Sequence, residues 1–227
     1  MAKKGLTEKL LRKLRHLPFL TRVHALLRLG SFPFAAILPD IPRRGPIVDY
    51  GCGFGLFSFY LVSKFPKRRI ISFDPSPKKT VVAQKILKFY PNVTVTQSFK
   101  ITLEKCPHPQ AIVMLDVLYL FPPSQKKQVL AELFTYLKKG GTLILSFVPQ
   151  ESSWRYYLAW FEEWLMVKLF GLTQGQSQTL EFESEGWLVN ALKTSGFTPT
   201  KLRHLPTPWP FFHRHLLIVA RKPKLKG

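Results

Sequence analysis

Ile47-Val48-Asp49-Tyr50-Gly51-Cys52-Gly53-Phe54-Gly55 is an apolar run ending in three alternating glycines, and a helical pattern, Leu56–Lys64, follows at once. Strand, glycine-rich turn and helix together make the opening of a βαβ unit. Glycines in such a turn bring backbone close to a ligand with no Cβ in the way, and N–H groups at the helix start can contact its polar end. Nineteen residues past Gly55, at the expected end of the next strand, stands Asp74. A carboxylate there is placed to accept hydrogen bonds from two ribose hydroxyls. The first expectation is therefore a nucleoside-bearing cofactor.

Downstream of this turn, short apolar runs alternate with helical patterns, which predicts a mostly parallel sheet. Strands are expected at Ile47–Tyr50, Ile70–Asp74, Val93–Gln97, Ala111–Asp116 and Thr142–Val148, with helices near Leu56–Lys64, Pro77–Phe89 and Ser124–Lys138. The stretch Leu103–Pro109 is too short and Pro-rich to assign. Ser152–Phe170 reads as an aromatic-rich helical insertion carrying Trp154, Tyr157, Trp160, Phe161 and Trp164. Ser184–Ser195 follows as a helix stopped at Gly196, and Phe197–His204 and Arg214–Arg221 look like a closing pair of strands.

A dinucleotide fingerprint needs glycine or alanine at the third position of G-x-G-x-x-G, and that position is Leu56. The pattern Asp49-x-Gly51-x-Gly53-x-Gly55 instead resembles the first motif of the class I S-adenosylmethionine-dependent methyltransferases. Val113-Met114-Leu115-Asp116-Val117-Leu118-Tyr119 resembles that family's fourth strand and following loop. Leu137-Lys138-Lys139-Gly140-Gly141-Thr142-Leu143 is similar to its Gly-Gly turn and fifth strand, and Gly196-Phe197 with His215–Arg221 to its last two strands. The resemblance covers roughly residues 45–222. It implies a Rossmann-like three-layer α/β sandwich with a seven-stranded sheet, an antiparallel last strand, and S-adenosylmethionine across the carboxyl ends of the first strands.

Carried over residue by residue, the resemblance makes Gly51, Cys52, Gly53 and Gly55 the lining of the methionine and ribose side. Asp49 supports the amino end of the methionine moiety, Asp74 with Pro75 holds the ribose, and Asp116 borders the reacting methyl group. The family usually carries an acid just after the third strand. Here Gln97-Ser98-Phe99 stands in its place, with Gln97 and Ser98 expected at the adenine and Phe99 stacked on its ring.

Methyl transfer from a sulfonium is an in-line displacement in which proximity and orientation supply much of the acceleration. Where the acceptor must lose a proton, His is the usual base near neutral pH. An antiparallel last strand places His204, His213 and His215 on the catalytic side, and the analogy adds Asp116 and Tyr119. Each histidine has an alternative as a hydrogen-bonded structural residue, and Asp116 as a turn cap.

Composition bounds the rest. The chain has 227 residues, of which 46% are hydrophobic, so it has a sizeable core; disorder and disulfide-stapled miniatures are excluded. Two cysteines, Cys52 and Cys106, allow at most one bridge and no metal cluster, which fits a reducing cytosol. No metal is expected, and no apolar run is long enough to span a membrane.

Lys and Arg number 34 against 13 acids, a formal +21, which points to an anionic partner. Residues 1–45 carry ten Lys and Arg against Glu8 and Asp40, a net +8. Within them Leu6, Leu10, Leu11, Leu14 and Leu17 predict a basic amphipathic helix over Leu6–Leu17, able either to lie on an anionic membrane or to pack on the protein. A second helix is expected at Leu20–Leu29, then an extended connection imposed by Pro33, Pro39, Pro42 and Pro46. The expected organisation is a helical extension at 1–45, a catalytic domain at 46–222 with its insertion at 150–183, and a basic tail at 223–227.

An Asn/Asp-Pro-Pro-Tyr/Phe motif for nucleobase amines is absent after the fourth strand, as is a Pro-Cys nucleophile. The leading expectation is methyl transfer to a hydrophobic, lipid or acyl-like small molecule by a cytoplasmic protein peripheral to a membrane. RNA methylation is the first alternative, motivated by the charge and by the cluster Lys64, Lys67, Arg68 and Arg69. A methyltransferase-like binding module without turnover is the second, motivated by the missing acid.

Overall fold

The computed structural model describes residues 2–149, 183–206 and 215–224. The expected insertion helix Ser152–Phe170 and His213 lie outside the described residues.

Short strands without polar alternation can only be satisfied between two layers of helices, because both of their faces must be covered. Accordingly β1 (Ile47–Tyr50), β2 (Ile70–Phe73), β4 (Ala111–Leu115) and β5 (Thr142–Phe147) are buried at every position. With β3 (Val93–Thr96), β6 (Thr198–His204) and β7 (Leu216–Arg221) they form one seven-stranded sheet in the order β3-β2-β1-β4-β5-β7-β6. The first five strands are parallel; β7 runs antiparallel to both β5 and β6. This is the expected fold class. The strand order reverses between β1 and β4, so the loops leaving those two strands diverge and open a crevice at the carboxyl edge.

Helices cover both faces. On one, α1 (Ala2–Leu14), α2 (Phe19–Ser31), α3 (Leu56–Lys64) and α4 (Pro77–Leu87) share a core with Ile47, Val113 and Ile144. On the other, α6 (Pro123–Tyr136) and α7 (Glu185–Thr194) pack on Val48, Ile112 and Met114. Cys52 and Cys106 lie one in each core, buried and free.

One local expectation is corrected and two open points are filled in. The stretch left unassigned holds α5 (Phe99–Lys105), where Ser98 is the N-cap and its Oγ accepts from the Ile101 N–H. The proline connection is not extended throughout: it contains two 3₁₀ turns, Phe34–Ala36 and Leu38–Asp40. Pro33 and Pro39 sit at or just before their first turn, where a fixed φ and a missing N–H cost nothing. The Asp40 carboxylate accepts from Lys201 Nζ and Arg203 Nη2 of β6, both at 2.6 Å, tying the N-terminal segment to the far edge of the sheet. Finally, most of the predicted leucine stripe packs on the protein: Leu10 and Leu14 of α1 and Leu17 just beyond it are buried in the first core, with α1 beside α3 and α4, and Leu11 stays exposed. Lys9 and Arg12 of α1 are exposed, and no described helix is long and apolar enough to cross a membrane.

Candidate functional site

The crevice holds a cavity of about 550 Å³, within the range of about 300–1,000 Å³ usual for small-molecule sites. Its floor is the glycine turn. The N–H groups of Gly51 and Cys52 both donate to the Phe73 carbonyl, at 2.7 and 2.8 Å, which folds the turn over the end of β2. Gly51 has φ +77°, and a Cβ there would lie 2.4 Å from Val117 Cγ2. Gly53 has φ +54°, but a Cβ there would meet nothing within 4 Å. The first glycine is required by packing; the second leaves a backbone face open to the cavity.

Asp74 is 5% exposed and lines this cavity with Pro75 and Ser76. Its Oδ2 accepts from the Gly53 N–H and its Oδ1 from the Ser76 N–H, both at 2.9 Å. A carboxylate oxygen has two lone pairs, so each keeps acceptor capacity for a vicinal diol while the side chain is locked. This donor and acceptor set fits a ribose, and the open face of Gly53 fits close approach of the attached chain.

Beneath the turn, Asp49 is wholly buried. Ser58 Oγ of α3 donates to its Oδ2 at 2.5 Å and also lies 2.7 Å from Ser72 Oγ. Burial pushes the Asp49 carboxyl up to about 7; the Ser58 hydrogen bond opposes this and the nearby Asp74 charge adds to it. The Cys52 thiol is raised well above its ordinary value, by burial and then by the charges of Asp49 and Asp74. It is a neutral lining group.

The opposite wall begins with Asp116, which ends β4 in the left-handed region at φ 54°. Three side chains from three segments converge on it. Arg28 Nη2 of α2 donates to Asp116 Oδ2 at 2.7 Å, Ser146 Oγ of β5 donates to Oδ1 at 2.8 Å, and His215 Nδ1, just before β7, lies 3.2 Å from Oδ1. Burial would raise the Asp116 carboxyl, but His215, Arg28 and Ser146 outweigh it and hold the group far below the usual carboxylate range. Asp116 is thus a fixed anion, not a proton acceptor near neutral pH.

The sequence-predicted residues therefore separate. Asp49, Gly51, Cys52, Gly53, Asp74, Pro75, Asp116 and Tyr119 all line the cavity. Gly55 instead begins α3 and packs on α4, where a Cβ would meet Leu87 and Ala83. His215 stands behind Asp116, edge-on to Phe32 at 4.7 Å, and is not part of the cavity wall. His204 is exposed on the edge strand β6. Gln97 and Ser98 are also not brought to the cavity: Gln97 Nε2 donates to Thr80 Oγ1 at 2.8 Å, and Ser98 caps α5. Phe99, expected to stack on the adenine, is engaged in an aromatic cluster with Tyr50 and Phe73.

Sequence reasoning missed the contribution of α2. His24 and Arg28, read only as interruptions of an apolar stretch, lie four residues apart on one helix face and both line the cavity. His24 packs edge-on to Phe54 at 5.1 Å. Burial, then the charges of Lys79 and Arg28, lower its imidazole to about 4, so it faces the cavity neutral. Among the described residues, the histidine on this wall comes from the N-terminal segment, while His204 and His215 stand away from it. Phe34, Phe57, Leu115, Leu120 and Phe121 complete a largely apolar lining.

A family model described as a methyltransferase domain matches residues 22–202, a span that opens within α2. Trans-aconitate 2-methyltransferase of Methylobacterium nodulans is 31% identical over 113 residues, 49% of this chain and 42% of that protein. The chain thus spans less than half the length of the curated relative it matches. Among solved structures, 1,6-didemethyltoxoflavin-N1-methyltransferase of Burkholderia thailandensis, with bound 1,6-didemethyltoxoflavin and S-adenosylhomocysteine, superposes with a TM-score of 0.63 at 16% identity, over 84% of this chain and 76% of that one. An O-methyltransferase family protein from the same organism gives 0.65 at 15% identity over 94% and 62%.

Proposed function

Since the chain belongs to the methyltransferase-domain family, we propose that it moves the methyl group of S-adenosylmethionine onto a hydrophobic, lipid or acyl-like small molecule at or near a membrane surface. When bound, the cofactor supplies an electrophilic methyl on a sulfonium and leaves as a thioether. Asp74 would hold the ribose diol with its remaining lone pairs, and the Gly53 backbone would lie against the attached chain. Asp49, fixed by Ser58, supports the turn from below.

The observation that carries the acceptor class is the composition of the wall beyond the cradle: Phe34, Phe54, Phe57, Leu115, Leu120 and Phe121 face it, and its anion, Asp116 just after β4, is already paired with Arg28. An apolar acceptor is desolvated by these rings and held still, which is the main requirement of an in-line displacement. Because Asp116 stays ionised and His24 is a weak base, the reading favours an acceptor nucleophilic as it stands, such as a carboxylate, over one that must first be deprotonated. The relative named for trans-aconitate and the neighbour named for 1,6-didemethyltoxoflavin both support a small-molecule acceptor.

The RNA reading keeps its motive in the charge of +21. Part of the cluster behind it is used internally, since the Arg68 guanidinium donates to the carbonyls of Pro42, Arg44 and Gly45. Incubation with methyl-labelled S-adenosylmethionine and, separately, a fatty-acid panel and total RNA tests the choice. Label in the solvent-extracted acyl fraction is expected. Label in RNA would replace the reading, and no transfer despite cofactor binding would favour a binding module.

A further inference from the structure

Helix α2 is two-faced. Its inner side sets His24 and Arg28 against the cavity and buries Ala25 and Ser31. At 100° per residue the opposite side gathers Phe19, Leu20, Val23, Leu26 and Leu27, all apolar. Phe19 is 67% exposed, Leu20 59% and Leu27 46%. The segment Ala2–Ser31 that carries this face holds eight Lys and Arg and one acid, Glu8. Arg12 and Arg15 are exposed at the end of α1 and the corner into α2, and Arg22 lies over the Phe19 ring at 5.8 Å.

We propose that the outer face of α2 is a docking surface for an anionic lipid bilayer, with Phe19, Leu20, Leu26 and Leu27 entering the acyl boundary and the flanking arginines meeting headgroups. Most of the leucine stripe predicted for α1, the obvious candidate from sequence, is unavailable because Leu10, Leu14 and Leu17 are packed inside, with Leu11 left exposed. Charge selects the occupant. A row of exposed aliphatic and aromatic side chains has no use for a phosphodiester backbone, and a second copy of a chain carrying +21 would bring like charge against like. An anionic bilayer satisfies both the apolar row and its basic rim. Because the other side of the same helix walls the cavity, docking seats that wall at the membrane and gives an apolar acceptor a short path inward. This delivery role rests on the proposed acceptor class; the docking itself does not.

The test is sedimentation of the full chain with phosphatidylcholine vesicles with and without phosphatidylglycerol. Binding is expected with phosphatidylglycerol, and the pair Leu20→Glu and Leu27→Glu, on exposed positions, should weaken it about a hundredfold. The pair Lys100→Gln and Lys105→Gln, which removes as much charge from exposed positions of α5, should change it little. No binding by the parent chain, or equal loss in both pairs, would overturn the proposal. So would a parent dimer that the glutamate pair converts to monomer without any vesicle binding. Calorimetry with S-adenosylmethionine on the same variants should give one unchanged affinity; failure there would strike the proposed reaction and leave the docking result standing.

Discussion

Replacing Arg28 with Met keeps an apolar stem over Phe32, whose ring the guanidinium now faces at 4.5 Å, and removes one charge partner of Asp116. Removing one member of a fully buried ion pair costs about 3–5 kcal/mol, and of an exposed pair about 0–1 kcal/mol. Here the Asp116 side chain is 2% exposed and that of Arg28 24%, and Ser146 and His215 stay in place. The expected loss is about 2 kcal/mol, or about 4–8 °C in Tm for a chain of this size. The pH dependence is diagnostic. Burial opposes it, but His215, Arg28 and Ser146 together depress the Asp116 carboxyl. A depressed carboxyl stabilises the fold in full at every pH above its unfolded value near 3.9, and that contribution is lost progressively as pH falls from there through the folded-state value. Urea unfolding of parent and Arg28→Met should therefore differ by a constant amount from about pH 8 through about pH 4 and converge only in stronger acid, as the folded Asp116 takes up its proton. A difference under about 0.5 kcal/mol, or one that already disappears between about pH 8 and about pH 5, would refute the assignment of Arg28 as a partner of a buried anion.

Asp49 titrates with the opposite sign: its carboxyl is pushed up to about 7, so the unliganded protein should lose stability as pH rises from about 4 to about 7. Asp49→Asn should flatten that decline, which urea titrations across the range would read. Gly51→Ala should destabilise by more than about 2 kcal/mol, because it adds contact with Val117 to the left-handed backbone cost. Gly53→Ala should cost only about 1–2 kcal/mol of stability yet weaken S-adenosylmethionine at least about tenfold by filling the open face, as thermal melts and calorimetry together would separate.

Much of this fold was legible because its signals are local. Every expected β-strand of the first five exists, but four end one residue earlier than their apolar runs suggest. Asp74, Gln97 and Asp116 leave the ladder to bind backbone N–H groups, Thr80 and Arg28 respectively. The seven residues of α5 span about two turns, too few for a periodic apolar face, and their clearest signal, the capping Ser98, was read as a ligand contact. For α1 the leucine spacing marks an amphipathic helix without saying what covers it; the answer depends on α3 and α4, some fifty and seventy residues away. The Arg28 pairing with Asp116 joins residues 88 apart and leaves no local trace beyond the shared helix face with His24. Non-local pairing of this kind also explains why the histidines near the last strand were preferred: sequence places them at the right sheet edge, but not which of them reaches the cavity.

The claim on which the account depends is that Asp74 and the glycine turn hold S-adenosylmethionine. Calorimetric titration of the parent chain and of Asp74→Ala and Asp74→Asn tests it directly, with urea melts verifying that each variant is folded. Two hydrogen bonds to a charged acceptor are worth about 3 kcal/mol or more together, so the parent should bind and both variants should bind about a hundredfold more weakly. Absence of binding by the parent, or folded variants with undiminished affinity, would contradict it.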